Sequence, residues 1–226
     1  GGVAASYSFW SGALRPLQVV PVELPGRGRC LDDPVSSDFA SMLEYVWARN
    51  HHQFHGSYAF FGHSMGGVLA YELVRRIQAE DRPLPTCLVL SGCSAPNRRS
   101  ATLSANMADC ELTSQIGDVG GTPRELLEDA QFLKEFLALL KRDLRVLESY
   151  RWNPGPPLVL PVVALAGRQD HHAPLDAIAH WREYVGGEFA MREYDGGHFY
   201  FKRQLQTFLP ELRSCVLNAS TPSFAT

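Results

Sequence analysis

Gly62-His63-Ser64-Met65-Gly66 fits the pattern G-x-S-x-G, and its flanks restrict what can surround it. Before it stands the apolar run Tyr58-Ala59-Phe60-Phe61, too short for a helix of its own. After it, Leu69, Leu73 and Ile77 follow Met65 at fourfold spacing, which predicts a helix over residues 66–79. Strand, tight turn and helix in that order expose a serine hydroxyl at the edge of a parallel sheet. Side chains at positions 62 and 66 are expected to crowd the strand and helix, which accounts for the glycines. The helix N-terminus brings positive backbone dipole to Ser64, and the Met65 N–H becomes a candidate oxyanion donor. An ordinary Gly-rich turn is the alternative reading of these residues.

Short apolar runs recur at residues 87–90, 160–166 and 189–194, and residues 19–24 read as a strand ending at Pro25-Gly26. Between them lie helical patterns. Asp38 is placed to cap a helix carrying Phe39, Met42, Leu43, Val46 and Trp47, and residues 175–184 and 201–217 read as helix. This alternation predicts an α/β domain with a mostly parallel sheet covered on both faces. Residues 97–152 break it. They hold no good strand, and Phe132, Phe136, Leu140, Leu144 and Leu147 recur at helical spacing. We read one domain with a core of residues 1–96 and 153–217, a helical lid insertion at 97–152 and a frayed tail at 218–226.

Composition narrows the function classes. Across 226 residues, 21 Lys and Arg against 24 Asp and Glu leave a net charge of −3, so no global basic surface invites nucleic acid. No apolar run reaches bilayer length and no secretory pattern opens the chain, so no membrane partner is expected. The five cysteines (30, 87, 93, 110 and 215) are scattered without C-x-x-C spacing, which fits a reducing cytoplasm. His51, His52 and His55 lie near a helix end without an acid or cysteine to complete a metal set, and no metal is expected. The chain opens at Gly1-Gly2 without Met, as a fragment or a processed chain would.

A serine hydroxyl needs a base. His198 is the candidate, in Asp195-Gly196-Gly197-His198-Phe199 just after the last strand, where two glycines let the loop reach over the sheet edge. Asp170 is the candidate orienting acid, on the loop that follows the strand at 160–166. Asp195 and Asp176 are rival acids, and His171, His172 and His180 are weaker bases.

These motifs together resemble the type II thioesterases, small stand-alone α/β-hydrolases that serve polyketide and nonribosomal peptide synthases. The resemblance runs almost end to end. It rests on Gly1-Gly2 with Phe9-Trp10, on Pro25-Gly26-Arg27-Gly28-Arg29, and on Gly62-His63-Ser64-Met65-Gly66-Gly67 with Ala70-Tyr71-Glu72. Ser91-Gly92 with Ala95-Pro96, Gly120-Gly121-Thr122-Pro123, Lys141-Arg142-Asp143 and Gly196-Gly197-His198-Phe199 continue it. The family carries a strand before its opening glycine loop, whereas this chain starts in that loop. Gly1 is therefore the candidate for the second oxyanion donor.

The resemblance implies an α/β-hydrolase fold and hydrolysis of acyl thioesters on the phosphopantetheine arms of acyl or peptidyl carrier domains. Ser64 would be the nucleophile, His198 the base and Asp170 the acid. No cofactor is implied, since the arm belongs to the substrate. The role implied is editing, by a monomer in the cytoplasm. Met107, Leu112, Ile116, Phe132 and Phe136 are candidates for the lid side of the acyl pocket, with lid-core packing as their alternative. Arg27, Arg29, Arg75, Arg76, Arg98 and Arg99 are candidate docking points for an acidic carrier. Two other functions fit the same motifs: a chain-terminating acyl-carrier thioesterase, and a carrier-binding protein without activity.

Overall fold

Four short apolar runs pair side by side in the computed structural model, which describes residues 2–99 and 102–219. The strands are β1 (Phe60–His63), β2 (Leu88–Ser91), β3 (Val162–Gly167) and β4 (Phe189–Tyr194), in that order and all parallel. Their register aligns His63 with Ser91 and Ser91 with Leu165. The C-terminal ends of parallel strands share one edge, so the loops after β1, β3 and β4 open there together. That edge carries Ser64, Asp170 and His198.

Helices cover both faces, as burial of a parallel sheet requires. The short helices α1 (Ala5–Ser8) and α2 (Trp10–Ala13) lie before the sheet, followed by α3 (Phe39–Asn50) and α4 (Met65–Ala79). Asp38 caps α3: its carboxylate accepts the Ser41 N–H, and the Ser41 hydroxyl answers the Asp38 N–H. Phe39, Met42, Val68 and Val74 of α3 and α4 pack with Leu88, Leu90, Val162 and Ala164 on one face. On the other, Trp10 and the final helix bury Phe208, Leu209 and Leu212 against Val89, Val163 and Leu165.

Between β2 and β3 run α5 (Asp109–Val119), α6 (Arg124–Glu128) and α7 (Ala130–Glu148), and no strand forms among the described residues of this stretch. After β3 come α8 (Leu175–Ala179) and a 3-10 turn, His180–Tyr184, where one continuous helix was expected. The expected helix over 201–217 likewise begins as a 3-10 turn, Tyr200–Arg203, and resumes as α9 (Leu205–Ala219). Residues 218 and 219 extend α9, and the rest of the expected tail lies outside the described residues.

One strand expectation fails. Residues 19–24 form no ladder. Their side chains still alternate, with positions 19, 21 and 23 half-buried and 20 and 22 exposed. The period of a strand is present, but among the described residues no neighbouring backbone exchanges hydrogen bonds with it.

The helical insertion, expected as a lid, is tied to the core by charge. Asp143 of α7 is buried and accepts two hydrogen bonds from the buried Arg27 guanidinium, one of them 2.8 Å long. Arg27 thus holds the lid and is not a docking point. Removing Asp143 strands the Arg27 charge in the interior, a loss of about 3–5 kcal/mol. Denaturant unfolding of Asp143→Ala is expected to show a fall of that size. A loss below about 1 kcal/mol would contradict this account of the lid's anchorage.

Candidate active site

Ser64 stands between β1 and α4 with φ 55° and ψ −122°, a backbone conformation L-residues rarely adopt. Holding it there costs about 1–3 kcal/mol, offset by the surrounding structure. The Ser64 N–H is fixed by a 2.8 Å bond to the Ser91 carbonyl. Its hydroxyl forms no capping bond, although Ser64 is the N-cap of α4. A Cβ at Gly62 would lie 2.2 Å from the Gly66 carbonyl oxygen and 2.6 Å from the Gly67 nitrogen, so only glycine fits. The expected crowding at Gly66 is not found: a Cβ there meets nothing within 4 Å. The tight approach is Gly62 against the backbone of residues 66 and 67, and Gly67 against the Cys93 side chain.

Met65 opens α4, so its N–H has no intrahelical acceptor. Gly1, the expected second donor, lies outside the described residues.

Asp170 and His198 meet. The His198 Nδ1 lies 2.8 Å from the Asp170 Oδ2, and the Asp170 side chain is fully buried. The other carboxylate oxygen accepts the His172 N–H at 2.8 Å and the Ala173 N–H at 3.0 Å, so the acid cannot swing away. Glycines permit the approach. A Cβ at Gly167 would lie 2.5 Å from the Gly197 carbonyl oxygen, and Gly196 has φ +120°. The rivals are elsewhere. Asp195 pairs with Arg168 at the surface, Asp176 is exposed in α8, and the His180 Nδ1 is hydrogen-bonded to the Asp176 carbonyl.

Two further histidines flank His198. The His63 ring centroid is 4.7 Å from it, and that of His172 is 5.6 Å. Burial, followed by the His198 charge, lowers the pKa of both rings, which keeps them neutral beside it. His63 Nδ1 pairs with Ser91 Oγ at 3.0 Å, and Ser91 Oγ with the Tyr200 hydroxyl at 2.6 Å. Gly92, at φ +52°, leaves room for the rings: a Cβ there would be 2.8 Å from His63 and 3.3 Å from His198. His172 is bonded through Nδ1 to the Thr102 hydroxyl and lines the cavity. Sequence reasoning set it aside because it adjoins Asp170, but the turn that holds the acid also aims this ring inward.

Ser64, Met65 and His198 border one cavity of about 560 Å³ between the sheet edge and the lid. A strained serine and a histidine held by a buried acid, at the C-terminal edge of a parallel sheet, are the groups that a nucleophile–base–acid mechanism of acyl transfer would use. The Thioesterase domain family model matches residues 1–214. The chain belongs to the thioesterase family.

Thioesterase PikA5 of Streptomyces venezuelae is 34% identical to it over 206 residues, 90% of this chain and 73% of the relative. Among solved structures, RedJ, the thioesterase of the prodiginine biosynthetic pathway in Streptomyces coelicolor, superposes with a TM-score of 0.87 at 32% identity. That match covers 94% of this chain and 85% of RedJ. BorB, the type II thioesterase from the borrelidin biosynthetic cluster, gives a TM-score of 0.85 at 29% identity over 95% of this chain and 88% of its own. The fold is that of the α/β-hydrolases.

In this thioesterase the cavity wall differs from the expected one. Met107, Leu112, Ile116, Phe132 and Phe136 do not line it. Leu112 and Ile116 are buried with Leu137 in the lid's own core, Met107 and Phe136 pack against them, and Phe132 stacks on Phe136. Their helical stripes close on one another because an isolated lid must bury apolar surface internally. The wall is made instead by Val119, Leu144, Leu147, Tyr150 and Trp152, with Leu103, Arg99 and Cys93. Leu144 and Leu147 belonged to the recognised stripe, but periodicity does not tell which end of α7 faces the site.

Two contacts seat the Gly120-Gly121 turn. Gly121, at φ +91°, lies against the Phe199 ring, where a Cβ would be 2.4 Å away, and Lys202 Nζ donates to the Gly121 carbonyl at 2.5 Å. The Gly-Gly turn thus seats the lid on the histidine loop. Of the candidate docking arginines, Arg75 pairs with Glu72, Arg76 with Glu44 and Glu80, and Arg99 turns toward the cavity. Arg29 and Arg98 remain exposed. Among the described residues no group of three His, Cys, Asp or Glu is placed to hold a metal ion, and no helix is long and apolar enough to cross a membrane.

Proposed function

We propose that this thioesterase hydrolyses acyl thioesters on the phosphopantetheine arms of carrier domains and thereby clears mis-acylated carriers in polyketide or nonribosomal peptide synthesis. The observation that carries the chemistry is the buried Asp170–His198 hydrogen bond at the cavity that the strained Ser64, whose hydroxyl makes no capping bond, also borders. The pathway context is supported by relatives and structural neighbours from polyketide and peptide clusters.

The sequence of steps follows from the atoms. Ser64 Oγ attacks the thioester carbonyl while His198 Nε2 takes its proton. The Met65 N–H, at the N-terminus of α4, donates to the forming oxyanion. Asp170 accepts from Nδ1–H, fixing the tautomer that leaves Nε2 free and stabilising the imidazolium. Collapse breaks the C–S bond, and the departing sulfur takes the proton from His198. Water then attacks the acyl-serine carbonyl as His198 accepts its proton; collapse breaks the C–Oγ bond, Ser64 Oγ takes that proton from His198, and the free acid leaves. These steps use no metal or cofactor. The catalytic unit is a monomer, and exposed Arg98 offers the acidic carrier a contact beside the cavity.

Editing requires permissiveness. A panel of acetyl, longer acyl and aminoacyl groups on carrier domains tests it by the rate of free-acid release. Broad release with a short-acyl bias is expected. A sharp preference for one long chain would replace editing with chain termination, and no release from any carrier would overturn the proposal.

A further inference from the structure

Among the described residues, three rings stand in contact with the ring of His198: those of His63, Phe199 and His172. Phe199 carries no polar atom. His63 does not border the cavity, and its Nε2 is sealed in the interior. His172 differs from both. Its side chain lines the cavity with Ser64 and His198, its ring centroid lies 5.6 Å from that of His198, and the two planes meet at 66°. Its Nδ1 is bonded to the Thr102 hydroxyl, whereas its Nε2 is not sealed in the interior and has no hydrogen-bond partner among the described residues. The backbone holds the ring from behind. The His172 N–H donates at 2.8 Å to Asp170, the same carboxylate that holds His198.

This ring is neutral beside the base. Burial, then the charge of His198, lowers its pKa, so it does not repel the imidazolium that His198 becomes. A neutral imidazole has one N–H and one lone pair. When Nδ1–H donates to the Thr102 oxygen, the lone pair is left at Nε2.

The second half of the reaction has a need that the first lacks. The serine hydroxyl has one proton, and His198 takes it. An attacking water has two. One goes to His198, and the other is left without an acceptor unless a second group reaches the same water. A water donating to two nitrogens at about 2.9 Å each spans about 4.5 Å between them, which rings with centroids 5.6 Å apart can present.

We propose that His172 is a catalytic residue of deacylation: its Nε2 accepts the second O–H of the water whose first proton goes to His198, and so aims that water at the acyl-Ser64 carbonyl. This rests on the thioesterase reading above. The proton shared with His172 stays on the water oxygen. It leaves in the carboxyl group of the free acid when the C–Oγ bond breaks, while the proton on His198 returns to Ser64 Oγ. His172 changes its own protonation at no step. Holding a water makes no demand on the acyl chain, which accords with permissive clearing of carriers.

Methanol separates this role from general support of the site. It has a single O–H, which His198 takes, so its attack gains nothing from His172. p-Nitrophenyl acetate loads Ser64 without requiring a thioester. The decay of acetyl-Ser64 is then followed by the mass of its peptide at rising methanol concentration. The intercept reports hydrolysis and the slope methanolysis. His172→Asn keeps a polar group for Thr102 at the Nδ1 position and removes Nε2. It is expected to lower the intercept about tenfold, the effect of one hydrogen bond, and to leave the slope within about twofold. His172→Gln places an amide near the Nε2 position and should recover part of the intercept. An unchanged intercept in His172→Asn would overturn the proposal. So would an intercept and slope that fall together, the mark of a structural role, or equal losses in His172→Asn and His172→Gln. A wild-type protein that is not acetylated on Ser64 would also overturn it. Turnover of acetyl-N-acetylcysteamine by the wild type tests the thioesterase reading separately. If the phenyl ester loads Ser64 but the thioester is not hydrolysed, that reading fails, and the intercept and slope still decide the role of His172.

Discussion

Ser64→Ala is expected to lower kcat/KM for acyl-carrier hydrolysis by about 10⁴- to 10⁶-fold while leaving the thermal midpoint within about 2 °C of wild type. The two halves of that expectation have separate causes. Alanine keeps the Cβ, so the backbone at φ 55° carries the same strain as before. The hydroxyl it removes makes no capping bond to α4, so the fold loses nothing with it. What disappears is the atom that forms the acyl-enzyme. Residual turnover would come from the oxyanion donor and from binding alone. A large drop in midpoint would mean that the hydroxyl is structural, against the geometry described here.

Asp170→Asn should cost about 10⁴-fold in kcat with a small effect on KM. The carboxylate accepts from three directions: the His172 and Ala173 N–H groups on one oxygen and His198 Nδ1 on the other. An asparagine can keep its oxygen toward the two backbone donors. Its NH₂ then confronts Nδ1, which must become an acceptor. The ring proton moves to Nε2, where the serine proton has to go, and the base is lost without displacement of the ring. Steady-state kinetics distinguish this from misfolding, because a misplaced loop would raise KM and lower the thermal midpoint as well.

Features carried by neighbouring residues were legible in the sequence. The Asp38 cap needs only residues 38–41, and β4 at Phe189–Tyr194 has the limits of its apolar run. The Ser64 turn was legible for the same reason, as was the placement of Asp170 and His198 after successive strands. Features that depend on distant partners were not. Arg27 and Asp143 are 116 residues apart, and their separate motifs give no sign that they meet in the interior. Residues 19–24 alternate like a strand but lack a partner backbone, which no local pattern reveals. The lid stripes were found, but their inward side closes on the lid itself. Arg99 looked like a surface cation because its burial depends on Tyr150, which stands at the far end of the lid.

The central claim is that Ser64 carries the acyl group between thioester and water. It is tested most directly by quenching the protein during turnover of an acyl-loaded carrier and measuring the mass of the peptide that contains Ser64. The account requires that peptide to gain the mass of the acyl group at short times and to lose it as free acid appears. Turnover that proceeds with no acylated Ser64 at any time, and at undiminished rate in Ser64→Ala, would contradict it.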